Sequence, residues 1–270
     1  MNVGDVRPDL TAKLRAPTEA ATACKVCGGE ARPLGVVDFN RSCEDARGLL
    51  LPRTGVPVQY RQCGQCGLLF TDTFDDWTQA DFEAHIYNAA YETVDPDYVA
   101  KRPEAMAASV IGAFGASKAD LDILDYGGGN GRFAELIGAA GFRCETYDPF
   151  TPRFAARPDR RFNLVTCFET LEHMPDPVAG VGDIAELVAE EGAVLFATLV
   201  QPPEVAQISL GWWYVGPRNG HVTLYSRDAL ARLWGRFGFT VRSFNDNTHL
   251  AVRSATPAFA RHLVGGGPTS

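Results

Sequence analysis

No stretch of this sequence is rich in lysine or arginine, and its 25 basic residues are outnumbered by 33 acidic ones, for a formal net charge of −8. That excludes duplex nucleic acid as a partner, because neutralising phosphates requires a basic face. Also missing is any apolar run near the ~20 residues that span a bilayer, so no membrane partner is expected. The first residues hold no apolar h-region, which predicts a chain without a secretory leader. Internal repeats are absent. Seven cysteines would suggest disulfides, but the count is odd and four of them fall in two C-x-x-C pairs, which favours metal in a chain without a leader. At 270 residues, 46% of them hydrophobic and 21% charged, the expectation is a cytoplasmic α/β protein of one large or two modest domains.

The chain is organised around the stretch from Leu121 to Asp148, LDILDYGGGNGRFAELIGAAGFRCETYD. A short apolar run ends at Asp125 and turns through Gly127, Gly128, Gly129, Asn130 and Gly131. Phe133, Leu136, Ile137 and Ala140 follow with helical spacing, and Gly141 offers a stop. Phe142 to Tyr147 reads as a second strand ending on Asp148. This is strand, glycine turn, helix, strand, acid: half of a nucleotide-binding α/β fold. Glycines let a ligand approach the backbone, and the helix N-terminus offers unpaired N–H groups. The G-x-G-x-x-G fingerprint fails from Gly127 and from Gly128. From Gly129 it survives as G-x-G-x-x-A, ending at Ala134, so the turn alone does not exclude a dinucleotide.

The whole stretch Asp125 to Gly131 reads D-x-G-x-G-x-G, which resembles motif I of the class I S-adenosylmethionine-dependent methyltransferases. The segment F-E-T-L-E-H-x-x-D-P, Phe168 to Pro177, resembles the fourth strand and exit loop of small-molecule members. The resemblance implies a Rossmann-like sheet with helices on both faces and S-adenosyl-L-methionine as cofactor. It places donor contacts on Asp125, Tyr126, Gly127, Gly128, Gly129, Gly131, Asp148, Pro149, Phe150, Phe168 and Glu169. Tyr91, with Tyr98 as an alternative, would cap the methionine end. Only PFTPRFAARPDRR separates Asp148 from the next strand, where such enzymes usually insert a helix and a further strand; Phe150 is then expected over the adenine.

Upstream, Cys24 and Cys27 (CKVC) and Cys63 and Cys66 (CGQC) each precede a glycine, Gly28 and Gly67. Two such turns aim four thiolates at one point and predict a structural Zn2+. The β-like pieces between them form a module expected to depend on metal, worth roughly 10–16 kcal/mol in comparable sites. Cys43 has no obvious partner. Two C-x-x-C-G knuckles ahead of a class I core make the layout similar to the sugar C-methyltransferases, although no stretch of this sequence is expected to form the extra C-terminal domain of those proteins. The similarity implies a small-molecule acceptor: a sugar nucleotide, another sugar or polysaccharide precursor, or a natural-product intermediate.

The boundaries predicted are a loose lead-in over 1–22, a zinc-binding module over 23–72, a helical connector and lid over 73–118, a methyltransferase core over 119–255 with 201–225 as substrate lid, and a tail over 256–270. Val178 to Val188 is expected as one helix face before Gly192, with Ala193 to Val200 as a strand. Ser226 is expected to cap a last helix, followed by strands at 239–245 and 249–254.

Transfer to a hydroxyl or carbon acid needs a base. Histidine suits best, and His221 and His173 lie in the right loops. Glu169 or Glu172 would orient such a histidine, and Arg218 would bind a phosphate or carboxylate. His85, His249 and His262 read as structural or peripheral. Two other classes stay open at this point. One is a zinc-ribbon binding or scaffold protein whose Rossmann core holds a nucleotide without catalysis. The other is an NAD-dependent oxidoreductase, which leaves Asp125 and FETLEH unexplained. Oligomeric state is not encoded in any of these patterns.

Overall fold

The structure, a computed structural model, describes residues 13–253 and 255–264. Most of the expected lead-in and the terminal GGGPTS therefore lie outside the described residues. The described strands are β1 (Thr22–Ala23), β2 (Glu30–Asp38), β3 (Pro57–Cys63), β4 (Leu69–Thr71), β5 (Asp122–Tyr126), β6 (Arg143–Tyr147), β7 (Phe162–Phe168), β8 (Val188–Ala197), β9 (Thr223–Leu224), β10 (Thr240–Ser243) and β11 (Thr248–Val252). Two compact units share them. One comprises 1–96, 171–178 and 198–233, the other 97–170, 179–197 and 234–270. No helix among the described residues is long and apolar enough to cross a membrane.

The second unit is a six-stranded sheet in the order β10-β11-β8-β7-β5-β6. β5 lies parallel between β6 and β7, β8 extends the parallel set, and β11 and β10 close it antiparallel. β7 and the second half of β8 are near-continuous apolar runs, as strands covered on both faces are, while the edge strand β6 alternates and is partly exposed. Ile123, Leu164, Ala193, Leu195 and Leu250 pack with Phe114, Phe133 and Ile137 in one buried cluster. The chain runs from β5 to β6 on one side and returns to β7 on the other, which opens a crevice at the carboxyl ends of these strands. Between β6 and β7 only a short 3-10 turn, Pro152–Phe154, intervenes. This is the Rossmann-like sheet that the sequence predicts.

Four expected elements are re-bounded. The helix Pro177–Leu187 stops before Val188, and Gly192 falls inside β8 rather than ending the helix. Val188 is β-branched and pairs with Phe162, with an irregularity in register beyond it. The strands expected at 239–245 and 249–254 are shorter, β10 and β11.

The first unit is a five-stranded antiparallel sheet in the order β1-β2-β3-β4-β9. It is larger than the module expected from 23–72, because β9 and the aromatic segments around it complete it. Tyr60, Phe74, Trp77, Phe82, Trp212 and Leu224 share its buried core. The segment thus has a buried aromatic core beside its cysteine cluster. The stretch 201–225, expected as a lid, contributes Trp212, Tyr214, Val215, Val222 and Leu224 to the same core; large aromatic surface is stable only when buried. Residues 13–22, expected as loose, are also tied down. Arg15 donates its amide to the Thr73 carbonyl at 3.2 Å and Thr18 donates to Gln59 Oε1 at 3.0 Å. Residues 73–96 belong to this unit and 97–118 to the other, so the expected connector is divided between them.

Candidate functional site

In the second unit, β5 delivers Asp125 and the chain turns through the glycines into the helix Arg132–Ala139. Asp125 is 3% exposed. Its Oδ1 accepts from the Thr166 hydroxyl at 3.4 Å, while Oδ2 is buried without a hydrogen-bond donor. Burial pushes this carboxyl up to about 7; the Thr166 bond opposes the rise and the nearby Asp148 adds to it. A Cβ at Gly128 would lie 2.1 Å from that same Oδ2, so only glycine leaves the carboxylate room. Gly131 has φ +78°, and a Cβ there would meet the Phe154 ring at 2.6 Å.

Asp148 braces this turn. Its Oδ2 accepts the Gly129 N–H at 2.8 Å and its Oδ1 accepts the Phe150 N–H at 2.8 Å. Burial raises its pKa while these backbone bonds lower it. Each oxygen retains acceptor capacity for a ligand hydroxyl. The Tyr98 hydroxyl is the atom nearest to where a Gly129 Cβ would stand, at 2.9 Å. Pro149 and Phe150 are exposed on the following turn.

Other expected donor residues are placed differently. Tyr126 donates its hydroxyl to Asp183 Oδ2 at 2.8 Å, so its side chain is spent on the helix Pro177–Leu187. Phe168 packs edge-on to Phe133 with centroids 5.4 Å apart. Glu169 follows β7 with φ +50°, a strained conformation for a residue with a side chain. Arg102 Nη1 approaches its Oε2 at 3.7 Å. Phe154 was not foreseen; an isolated aromatic in a polar, proline-containing stretch was its only signal.

In the first unit, Glu172, His173 and His221 offer ligand atoms within 4.8 Å of one another. His221 Nδ1 stands 2.8 Å from the Tyr214 carbonyl, and His173 Nδ1 stands 3.1 Å from the Gly220 carbonyl. A carbonyl can only accept, so each ring carries its proton on Nδ1 and, when neutral, its lone pair on Nε2. The Tyr87 hydroxyl is also 3.1 Å from His173 Nδ1, and the Cys43 thiol is 3.5 Å from His221 Nδ1. Glu172 is fully buried; Oε1 accepts from the Tyr214 hydroxyl at 2.6 Å and Oε2 has no donor. Of the two glutamates expected to orient a histidine, Glu172 is grouped with both rings. Glu169 is not part of this group, because it belongs to the other unit beside Arg102. Tyr91, expected at the donor, also lies in the first unit and donates its hydroxyl to the Asn219 carbonyl at 3.1 Å.

The four cysteines meet as the spacing requires. Their sulfurs lie within 4.8 Å of one another, with Cys24–Cys66 at 3.6 Å and Cys27–Cys63 at 3.5 Å. Zn–S bonds of ~2.3 Å in a tetrahedron set S–S edges of ~3.8 Å, so the donor set fits zinc. The two knuckles match in detail. Gly28 and Gly67 both have φ +72° and donate to the carbonyls of Cys24 and Cys63 at 3.0 and 3.1 Å. The Cys24 thiol is lowered to about 5, chiefly through its hydrogen bond with Cys66.

The sequence profile described as "Methyltransferase domain" matches residues 98–243, more than half of the chain. Among curated proteins, the ubiquinone biosynthesis O-methyltransferase of Aromatoleum aromaticum is 33% identical over 108 residues, covering 31% of this chain and 46% of that protein. The same-named protein of Nitrosospira multiformis is 29% identical over 113 residues, covering 33% and 47%. The chain thus spans less than half the length of the curated relatives it matches. An O-methyltransferase family protein of Burkholderia thailandensis is similar in structure at TM-score 0.48 and 19% identity, covering 67% of this chain and 64% of that one.

Proposed function

Because the chain belongs to the methyltransferase domain family, we propose that it transfers a methyl group from S-adenosylmethionine to a small-molecule acceptor. The observation that carries this reading is the buried Asp125 Oδ2, which lacks a donor beneath the glycine turn. A carboxylate held so suits a cationic ligand group, and Gly127, Gly128, Gly129 and Gly131 of the neighbouring turn present no side chains. The residues that would hold the donor are Asp125, Gly127 to Gly131, Asp148 and Phe150, with Tyr98 replacing Tyr91 in the expected set. When bound, that donor supplies an electrophilic sulfonium methyl.

The remaining work falls to the chain. An acceptor hydroxyl or carbon acid must surrender a proton, and His221 or His173 would take it at Nε2. Glu172 would stabilise the resulting imidazolium, and Tyr214 keeps Glu172 aimed. The Cys24, Cys27, Cys63 and Cys66 cluster would hold a structural zinc ion. The two C-x-x-C-G knuckles preceding the core support a sugar-linked acceptor as the finer reading.

Titration calorimetry with S-adenosylmethionine tests the proposal, with Asp125→Ala as control. Binding by the parent and its loss in the variant are expected. No binding by the parent sinks the reading, and tight NAD binding at the same turn replaces it. Mass spectrometry of heat-released small molecules from the purified protein gives an independent answer.

A further inference from the structure

Two arginines in the first unit are buried almost completely, and they are treated oppositely. Arg61, 2% exposed, is fully compensated. It donates to Asp72 Oδ2 at 2.8 Å, to the Ala20 carbonyl at 2.7 Å and to Gln59 Oε1 at 3.1 Å. Arg218, 3% exposed, has one guanidinium bond, from Nη1 to the Ile86 carbonyl at 2.9 Å. Among the described residues no carboxylate pairs with it. Burial lowers its pKa, as it must for a charge without a counter-ion. A guanidinium is not neutralised in practice, so the cation is kept out of water at a cost the fold does not recover from its own residues.

Its backbone is fixed as firmly as its charge is unanswered. The Arg218 amide donates to the Arg41 carbonyl at 3.0 Å. Next along the turn Pro217–Asn219, the Asn219 side chain accepts the Cys43 N–H at 2.8 Å, and the Asn219 carbonyl accepts the Tyr91 hydroxyl. The following two residues are Gly220, whose carbonyl fixes His173, and His221 itself. One turn therefore leads from a rigidly mounted, uncompensated cation to His221 and to the carbonyl that fixes His173.

We propose that Arg218 recognises an anionic group, a phosphate or a carboxylate, carried by the methyl acceptor. This rests on the reading of His173 and His221 as the acceptor site. A planar guanidinium binds either group through paired N–H donors, and the arriving charge supplies the counter-ion that the fold omits. Neutral acceptors are then disfavoured, because they leave the cation buried and unpaired.

The test uses the full chain at constant ionic strength, with chloride as reference. Melting temperature and calorimetric heat are followed as pyrophosphate, phosphate and acetate are titrated. A saturable rise in the parent is expected, weakened about tenfold or more in Arg218→Met and partly retained in Arg218→Lys. Pyrophosphate or phosphate outperforming acetate assigns a phosphoryl group; the reverse order assigns a carboxylate. No saturable response in the parent, or an unchanged one in Arg218→Met, overturns the inference; if Arg218→Met does not fold, the same comparison is made with Arg218→Lys. S-adenosylmethionine titrated into the same samples keeps the two proposals separate: donor binding without any anion response sinks only this one.

Discussion

Tyr214 holds Glu172 by a hydroxyl hydrogen bond of 2.6 Å to a carboxylate that is otherwise sealed from solvent. The carbonyl of the same tyrosine receives the Nδ1 proton of His221. One residue thus sets both the direction of the Glu172 carboxylate and the tautomer of His221, the candidate base. Replacing Tyr214 by Phe keeps the carbonyl and removes the hydroxyl. The expected result is a fall in kcat of about tenfold, equivalent to ~1.4 kcal/mol, with an unaltered donor Kd. Steady-state kinetics beside calorimetry decides it, and an unchanged kcat removes Glu172 from the chemistry.

Asp125 predicts opposite pH trends for stability and for donor binding. Its folded pKa of about 7 stands above the ~3.9 of an unfolded aspartate. The folded chain therefore keeps a proton that the unfolded chain releases. The associated stability is fully present below about pH 4 and is lost as pH rises through about 7. The whole span is roughly 4 kcal/mol. Affinity for the donor's ammonium group should instead rise from about pH 6 to pH 8, as the carboxylate forms. Asp125→Asn should flatten both trends and exceed the parent in ligand-free stability at about pH 8. Urea unfolding at pH 5 and pH 8 measures the first effect; equal pH slopes in parent and variant would contradict it.

Gly131 and Phe154 should behave as a coupled pair. Gly131→Ala introduces both a strained φ and a clash with the Phe154 ring, for a cost of about 1–3 kcal/mol. Removing the ring in Gly131→Ala/Phe154→Ala should relieve the clash but not the strain. A double-mutant cycle in urea isolates the coupling; strict additivity would show that the ring yields freely.

Metal content is the simplest number to obtain. Elemental analysis should find one zinc per chain, and a strong chelator should remove it with a drop in melting temperature. Cys63→Ser should bind zinc poorly and lose several kcal/mol of stability. The buried aromatic core of the same sheet should keep the chelated protein from unfolding completely. A chelated protein indistinguishable from the parent would rule out a structural ion.

Much of this arrangement could be read from residue order. Asp125 with its glycines and the two C-x-x-C-G knuckles are local signals, because the interacting groups are close in sequence or share one turn geometry. The buried runs in β7 and β8 were legible for the same reason. What escaped depends on long-range partners. That Glu172 rather than Glu169 accompanies the histidines follows from the Tyr214 hydroxyl, which no spacing rule connects to FETLEH. Trp212 and Tyr214 of the lid expected at 201–225 share one buried cluster with Tyr60 and Phe74, a grouping only the tertiary fold makes. Arg218 could be named a candidate anion binder, but its missing counter-ion could be found only by surveying its surroundings.

Lys25, the second residue of the first knuckle, reaches with Nζ to the Thr71 and Pro175 carbonyls at 2.9 Å each and pairs with Asp75. Pro175 lies two residues beyond His173. The sulfur cluster is thus tethered to the segment that bears a candidate base. A mercurial or an oxidant that attacks only the thiolates would slacken that tether and silence proton transfer while every imidazole remained chemically intact. An inhibitor of the proposed activity would then not have to reach the imidazoles at all.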